Sequence, residues 1–552
     1  MIEATLAPVV PQIDFVQNLP FILLAVGGLV VLGLDALLDL LVKGMTPARR
    51  DKIIANTTLG FLLATVISLF GPISVADWTE GFEVFFAGAL RTNLIGGIGA
   101  IIILFASIAY TVLAPDFLKR AKVGAGEFFS LVLFATLGMV MLAMSNELVL
   151  AFICIEIQSL GLYVLSGIDR RSPKGGEAAL KYFLLGAFAS AFLVLGIGFL
   201  FGATGTTQLF SQKVYSKTAT LDVEKANYDM SINEVLAAGE RLVTLEAIEP
   251  VEGTTTPAGA YEKSTQPVNP RWVYIGFALL LVGLCFKLSL APFHMWAPDV
   301  YEGAPAITGM FIATGSKVAA FAFLVQLMLS MSVWPPFAEA SVFLLSLVAL
   351  LSMVWGNFGA LIQTNIKRML AYSSIAHGGY IAIGITVLAG GSSAEDDIVK
   401  AILIYLLSYT IMNIAAFGVA AYLGKEGEGD IANYRGLSKR KPLLAAVMAI
   451  TMVSLTGIPP TIGFVGKFYI FKEAVQAGLM MLTVIAVLMS AVSAYYYLRV
   501  IVAMYMQDEE SGAVIAGSGT LARTYAVPVV LGLSVGAIFL FGIFPQLILA
   551  FA

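Results

Sequence analysis

Apolar runs recur from one end of this 552-residue sequence to the other, and each exceeds the roughly 18 residues that let a helix cross a bilayer. Within lipid the backbone must satisfy its own hydrogen bonds, which leaves only helices and closed barrels. These runs are too long for barrel strands. The fold class is therefore all-α, a polytopic membrane protein. Charged residues make up only 12% of the chain, against about 25% in a soluble domain. The opening MIEATLAPVVPQIDF has no basic stretch ahead of its first apolar run, so no cleaved signal peptide is expected.

Fourteen spans are expected, near 20–42, 53–74, 93–115, 127–145, 147–167, 176–201, 272–295, 306–332, 340–363, 367–390, 398–424, 440–475, 478–505 and 524–550. Loop charge tests the count. KGMTPARRDK (43–52), DFLKRAK (116–122), DRRSPKGG (169–176), NIKR (365–368) and RGLSKRK (435–441) are basic and all fall on one side. The alternate loops, AEDD (394–397) among them, are poor in Lys and Arg. Basic loops mark the cytoplasmic side, which puts both termini outside. The long connection 202–270 then also lies outside, and it is acidic, with nine Asp/Glu against five Lys/Arg. A short helix within it is expected at SINEVLAAGERLVTLEAI.

The two cysteines, Cys154 and Cys285, stand alone in apolar stretches. With no CxxC and no His/Cys ligand spacing, zinc and iron–sulfur chemistry are not expected in this chain. The glycines of GGIGAIIILF (96–105) follow no strand, so they read as helix packing rather than a dinucleotide-binding turn. No nucleic-acid partner is expected.

A charge at the centre of a membrane helix costs roughly 2.5–3.5 kcal/mol and needs a partner or a purpose. Six ionisable residues fall inside the expected spans: Glu156, Lys181, Lys287, Lys317, His377 and Lys467. Any one alone could be a structural ion-pair partner. Lys181, near a span end, could reach the interface or pair with Glu177 four residues before it. His377 could be only a hydrogen-bonding helix contact. Together they suit a proton relay, since burial eases deprotonation of a lysine and a nearby carboxylate holds its proton. Glu156, Lys181 and Lys287 would form one half of such a line, and Lys317, His377 and Lys467 the other. Two of the spans should break: one at Pro292, five residues after Lys287, and one at Pro459–Pro460 in TGIPPTIG, just before Lys467. Broken helices at membrane depth line cavities and aim backbone dipoles at ions. Their spacing suggests two five-helix units of opposite orientation, spans 4–8 and 9–13, supported weakly by the likeness of LKYFLLGAFASAF (180–192) to LIYLLSYTIMNIA (403–415).

The stretches EAALKYFLLGA, FKLSLAPFHMWAPDVYEGAP, NIKRMLAYSSIAHGGY and GFVGKF resemble the antiporter-like membrane subunit N of the proton-pumping NADH–quinone oxidoreductase, respiratory complex I. The resemblance runs from about 127 to 475. The run DVYEGAP (299–305) and a lysine at 467 favour the N type over the M type. It implies a division into helices 1–3 (1–126), a first repeat (127–335) with the insertion at 202–270, a second repeat (336–508) and a last helix (509–552). It also implies proton-pathway roles for Glu156, Lys181, Lys287, Lys317, His377 and Lys467. No cofactor is implied for this chain; NADH, flavin, iron–sulfur clusters and quinone belong to partner subunits. M-type and K-type membrane neighbours and a peripheral redox arm are implied as well; a bacterial plasma membrane is expected from the lack of a targeting segment. Ile307 and the length of the insertion depart from the family pattern. The rival readings are a cation/proton antiporter subunit, a ferredoxin-dependent relative of the complex, and a purely structural spacer.

Overall fold

The computed structural model describes residues 15–41, 45–70, 84–86, 88–210, 231–247, 261–391, 395–424, 427–508 and 526–549. The first spans are α1 (Phe15–Leu41), α2 (Pro47–Phe70), α3 (Leu94–Ala121), α4 (Ala125–Ala143), α5 (Leu148–Ser166) and α6 (Pro173–Thr204). A two-stranded ribbon, β1 (Val84–Phe85) with β2 (Leu90–Arg91), precedes α3. Three of these helices start on a side chain that meets their free amides: Asn93 for α3, Glu147 for α5 and Ser172 for α6. Glu147, which sits at a span boundary, is thus a helix cap.

The acidic connection is built rather than merely polar. A capping box of Ser231 and Glu234 starts the short α7 (Ile232–Ala238), and Gly239, at φ 71°, stops it. The chain continues as β3 (Glu240–Ala247), antiparallel to β4 (Tyr261–Pro267). The single helix expected over SINEVLAAGERLVTLEAI is therefore half helix and half strand. A left-handed glycine divides it, and the β-branched RLVTLEA half takes the extended form. Residues 211–230 and 248–260 of this connection lie outside the described residues.

The second part of the chain runs α8 (Pro270–Leu288), α9 (Trp296–Gly303), α10 (Ala306–Met331), α11 (Pro335–Leu361), α12 (Ile366–Ala389), α13 (Glu395–Leu423), α14 (Pro442–Thr456), α15 (Ile462–Gln476), α16 (Met480–Met506) and α17 (Ala526–Ile543). Among the described residues twelve helices are long and apolar enough to cross a membrane. The other two expected crossings are the pair α14/α15, of 15 residues each, and the 18-residue α17. A 15-residue helix rises only about 22 Å against a core of about 30 Å, so α14 and α15 make one crossing between them. α10, α12 and α13 are almost wholly enclosed by the others.

Both expected breaks are present. α8 ends at Leu288, with Ser289 left-handed at φ 56°, four residues before Pro292 rather than at it. The reason is local: a proline offers no N–H to the carbonyl four residues back, and its ring collides with it. The freed backbone finds other partners, Ala291 N–H donating to Ser352 Oγ (2.9 Å) and the Trp296 indole N–H to the Phe286 carbonyl (2.9 Å). α14 ends at Thr456 on Gly457 (φ 92°), and α15 begins after Thr461. The order three helices, broken helix, helix occurs twice, as α4–α10 and as α11–α16. An odd number of crossings in each gives the second set the opposite orientation.

Candidate functional site

The first buried lysine sits on the last turn of α8. Lys287 Nζ donates to Ser159 Oγ (2.7 Å) and to Tyr163 Oη (3.1 Å). Ser159 and Tyr163 share one face of α5 with Glu156, three and seven residues on from it. The Glu156 carboxylate takes a hydrogen bond from Ser190 of α6, and among the described residues no ion pair joins it to Lys287. Ser159, which accepts from Lys287, lies one helical turn on from Glu156 and itself donates to the Ile155 carbonyl. Lys181 is elsewhere: its ammonium pairs with Glu177 (2.7 Å) and with Asp299 of α9 (2.8 Å). The expected trio of Glu156, Lys181 and Lys287 is thus a pair plus an outlying ion cluster.

Gly186 of α6 lies against the Tyr163 hydroxyl with no room for a β-carbon. Gly186→Ala is therefore expected to push Tyr163 off Lys287 and to lower proton transport severalfold in an assembled protein. Transport assays on membranes carrying matched amounts of variant would check this; wild-type rates would show that the tyrosine is dispensable.

Lys317 follows a π-helical turn, Ile312–Ser316, within α10, a distortion that is frequent at functional sites. Its Nζ donates to the Ser374 carbonyl of α12 at 2.6 Å and lies 5.9 Å from the Tyr409 ring centroid. One turn further along α12, Gly378 lies beside the Lys317 ammonium and the Leu290 side chain. The break of α8, Lys317 and α12 meet at that glycine. His377, next to it, bonds Tyr405 Oη through Nδ1 (2.8 Å) and Tyr497 Oη through Nε2 (3.1 Å), so at least one ring nitrogen accepts when the imidazole is neutral. Its ring stands 5.2 Å from Tyr409 and 5.8 Å from Tyr380.

Lys467 of α15 lies 5.1 Å from the centroid of that same Tyr380 ring. Its ammonium donates to the Leu455 carbonyl (3.1 Å), the Thr456 carbonyl (2.8 Å) and Ser490 Oγ (2.8 Å). The last carbonyls of a helix lack internal partners and carry the negative end of its dipole. The break at Gly457 thus supplies a cation site, and Lys467 fills it.

Lys287, Lys317, His377 and Lys467 are all buried. Lys317, His377 and Lys467 are joined by ring contacts through Tyr409 and Tyr380, while Lys287 bonds Ser159 and Tyr163 on the other side of the α8 break. Such a line can hold, donate and accept protons. Sequence reasoning missed its hydroxyl partners, Ser159, Tyr163, Tyr405 and Tyr497, and the ring of Tyr409. Their only advance signal was helical spacing, as in Glu156, Ser159 and Tyr163. Among the described residues no group of three or more His, Cys, Asp or Glu is placed to hold a metal ion.

A broken-helix membrane protein with buried lysines defines the class, and comparison with known proteins gives the family. Residues 145–238 and 255–493 match the family described as NADH:quinone oxidoreductase/Mrp antiporter, TM. NADH-quinone oxidoreductase subunit N of Trichlorobacter lovleyi is 39% identical over 88% of this chain and 85% of its own length. Subunit N of Salinibacter ruber is 41% identical over 82% and 83%. A chain of respiratory complex I from Thermus thermophilus with bound aureothin superposes with a TM-score of 0.69 at 30% identity, covering 96% of this chain and 98% of that one. A chain of an archaeal membrane-bound sulfane sulfur reductase shares the fold, with a TM-score of 0.74 at 22% identity over 97% and 96%. The chain belongs to the NADH:quinone oxidoreductase/Mrp antiporter membrane family, on its subunit N branch.

Proposed function

We propose that this chain is the proton-translocating membrane subunit N of a bacterial NADH–quinone oxidoreductase, driven by redox chemistry in other subunits. The observation that carries this reading is the line of buried lysines and histidine bounded by two helix breaks. Lys287 and Lys317 store and pass protons, Glu156 tunes Lys287 through its charge, His377 links the two halves, and Lys467 controls release towards the outside. The first repeat, 127–335, supplies Glu156, Lys287 and Lys317, and the second, 336–508, supplies His377 and Lys467. NADH, flavin, iron–sulfur clusters and quinone reside in partner subunits, with M-type and K-type chains as membrane neighbours. The protein sits in the plasma membrane with both termini outside, which accords with its alternating loop charge. The subunit contributes translocation, not electron transfer, to the enzyme.

The test is to tag the chain, extract it gently from its native membrane and identify its companions. Flavin and iron–sulfur subunits with NADH–quinone activity are expected. Recovery of antiporter-like chains alone, with no redox cofactor, would overturn the reading in favour of a gradient-driven exchanger.

A further inference from the structure

Separated from α8 by the break, the eight-residue α9 owes its position to side chains. Asp299 accepts from Arg368 of α12 (2.6 Å) and from Lys181 of α6 (2.8 Å). Glu302, one turn on, accepts from Lys174 of α6 (2.9 Å) and again from Arg368 (3.2 Å). Both ends of the joint to α10 are matched to the helix dipoles. Lys367, itself buried, donates to the Ala304 carbonyl at the end of α9 (2.8 Å) and to Glu428 (3.1 Å). Glu428 in turn accepts from the Ala306 amide at the start of α10 (3.3 Å).

The other end of α9 reaches the first lysine. The Trp296 ring lies flat on Tyr182 (centroids 4.3 Å apart, 7° between planes), and Tyr182 stands edge-on to Tyr163 at 4.6 Å. Tyr163 is the residue whose hydroxyl receives the hydrogen bond from Lys287. Trp296 lies one turn before Asp299, and Tyr182 is the neighbour of Lys181. A continuous set of contacts therefore runs from Arg368 and Lys181, through Asp299 and α9, to Lys287.

We propose that Asp299, clamped between Lys181 and Arg368, is a latch that sets the position of α9 and, through Trp296 and Tyr182, the placement of Tyr163 on Lys287. Asp299, Arg368 and Lys181 are positioning residues, and Lys181 serves as a fixed charge, not a proton carrier. The charges suit a fixed role. Arginine stays protonated in proteins. Partial burial pushes the Asp299 carboxyl up, yet the hydrogen bonds from Lys181 and Arg368 outweigh it and hold the group below its usual 3.8. Partial burial likewise opposes, and Lys174 and Arg368 likewise depress, the Glu302 carboxyl.

This inference rests on the proton-translocating reading, and one set of variants separates the two. The measurement is protons pumped per electron pair by the intact complex in inverted membrane vesicles, with assembly followed on native gels. Lys181→Arg keeps the latch charge but has no proton to give; it is expected to retain the wild-type ratio within about twofold. Asp299→Asn is expected to lower the ratio about threefold or more, and Asp299→Glu to restore at least half of the loss. Loss of pumping in assembled Lys181→Arg would make Lys181 a carrier and overturn the latch. An unchanged ratio in assembled Asp299→Asn would also overturn it. If Asp299→Asn does not assemble, Trp296→Phe decides, since it keeps a ring but loses the bond to the Phe286 carbonyl. A lowered ratio supports the latch and an unchanged one overturns it. Lys317→Met is the control: a wild-type ratio there would remove the translocating reading itself.

Discussion

Replacement of Lys317 by Met is expected to give a subunit that assembles normally and passes almost no protons. Lys317 is buried, and its ammonium meets one backbone carbonyl and the face of Tyr409, with no carboxylate bonded to it among the described residues. Removing a buried charge that has no counter-charge strands nothing. It also relieves roughly 2.5–3.5 kcal/mol of insertion cost. Methionine has nearly the same length, fills irregular space and suits a helix, so α10 keeps its packing. The Ser374 carbonyl retains its place in the α12 ladder. What is lost is the only ionisable side chain on α10, and losing a proton-transfer group costs about 10²-fold or more in rate. Pumping measured by dye quenching in inverted vesicles, normalised to assembled complex, checks this. More than about half of wild-type pumping, far above a 10²-fold loss, would remove Lys317 from the route.

Lys467→Glu should fail in a different way, by loss of the folded chain. The wild-type ammonium caps the Leu455 and Thr456 carbonyls at the end of α14 and reaches Ser490. An ionised glutamate accepts but cannot donate. It would face two acceptors and the negative end of a half-helix, in a buried site. Losing a buried hydrogen bond from a charged donor costs about 1.5–3 kcal/mol; several are lost here, and repulsion adds to that loss. Since a domain is stable by only about 5–15 kcal/mol, assembled protein should drop at least tenfold on native gels. Lys467→Met removes the cap without the repulsion and should retain more protein. Equal amounts of wild type and Lys467→Glu would show that the capped carbonyls do not hold the break together.

The sequence conveyed the spans and breaks well because both depend on local chemistry. Apolar length fixes a crossing, and proline removes a donor wherever it stands. Even the displacement of the first break to Leu288 follows from proline geometry. Pairings across the chain were not legible. Glu177 was visible as a partner for Lys181 because it lies one turn away, whereas Asp299 lies 118 residues on. The hydroxyls of Tyr405 and Tyr497 and the ring of Tyr409 look like those of ordinary membrane aromatics until the helices are packed. The turn from α7 into β3 was missed because an apolar run of that length fits helix and strand alike.

The π-helical turn at Ile312–Ser316 bears on which length changes α10 can absorb. Such a turn holds one residue more than an α-helical turn at the same place, and the helix on either side keeps its phase. Loss of one residue elsewhere between Ala306 and Lys317 would rotate the remainder by about 100°, swinging the ammonium away from α12. Loss of one residue within the π turn converts it to plain α-helix and leaves Lys317 on the same meridian. The helix therefore carries a spare residue beside Lys317, and a one-residue deletion placed there leaves the packing of α10 on α12 intact where the same deletion elsewhere does not.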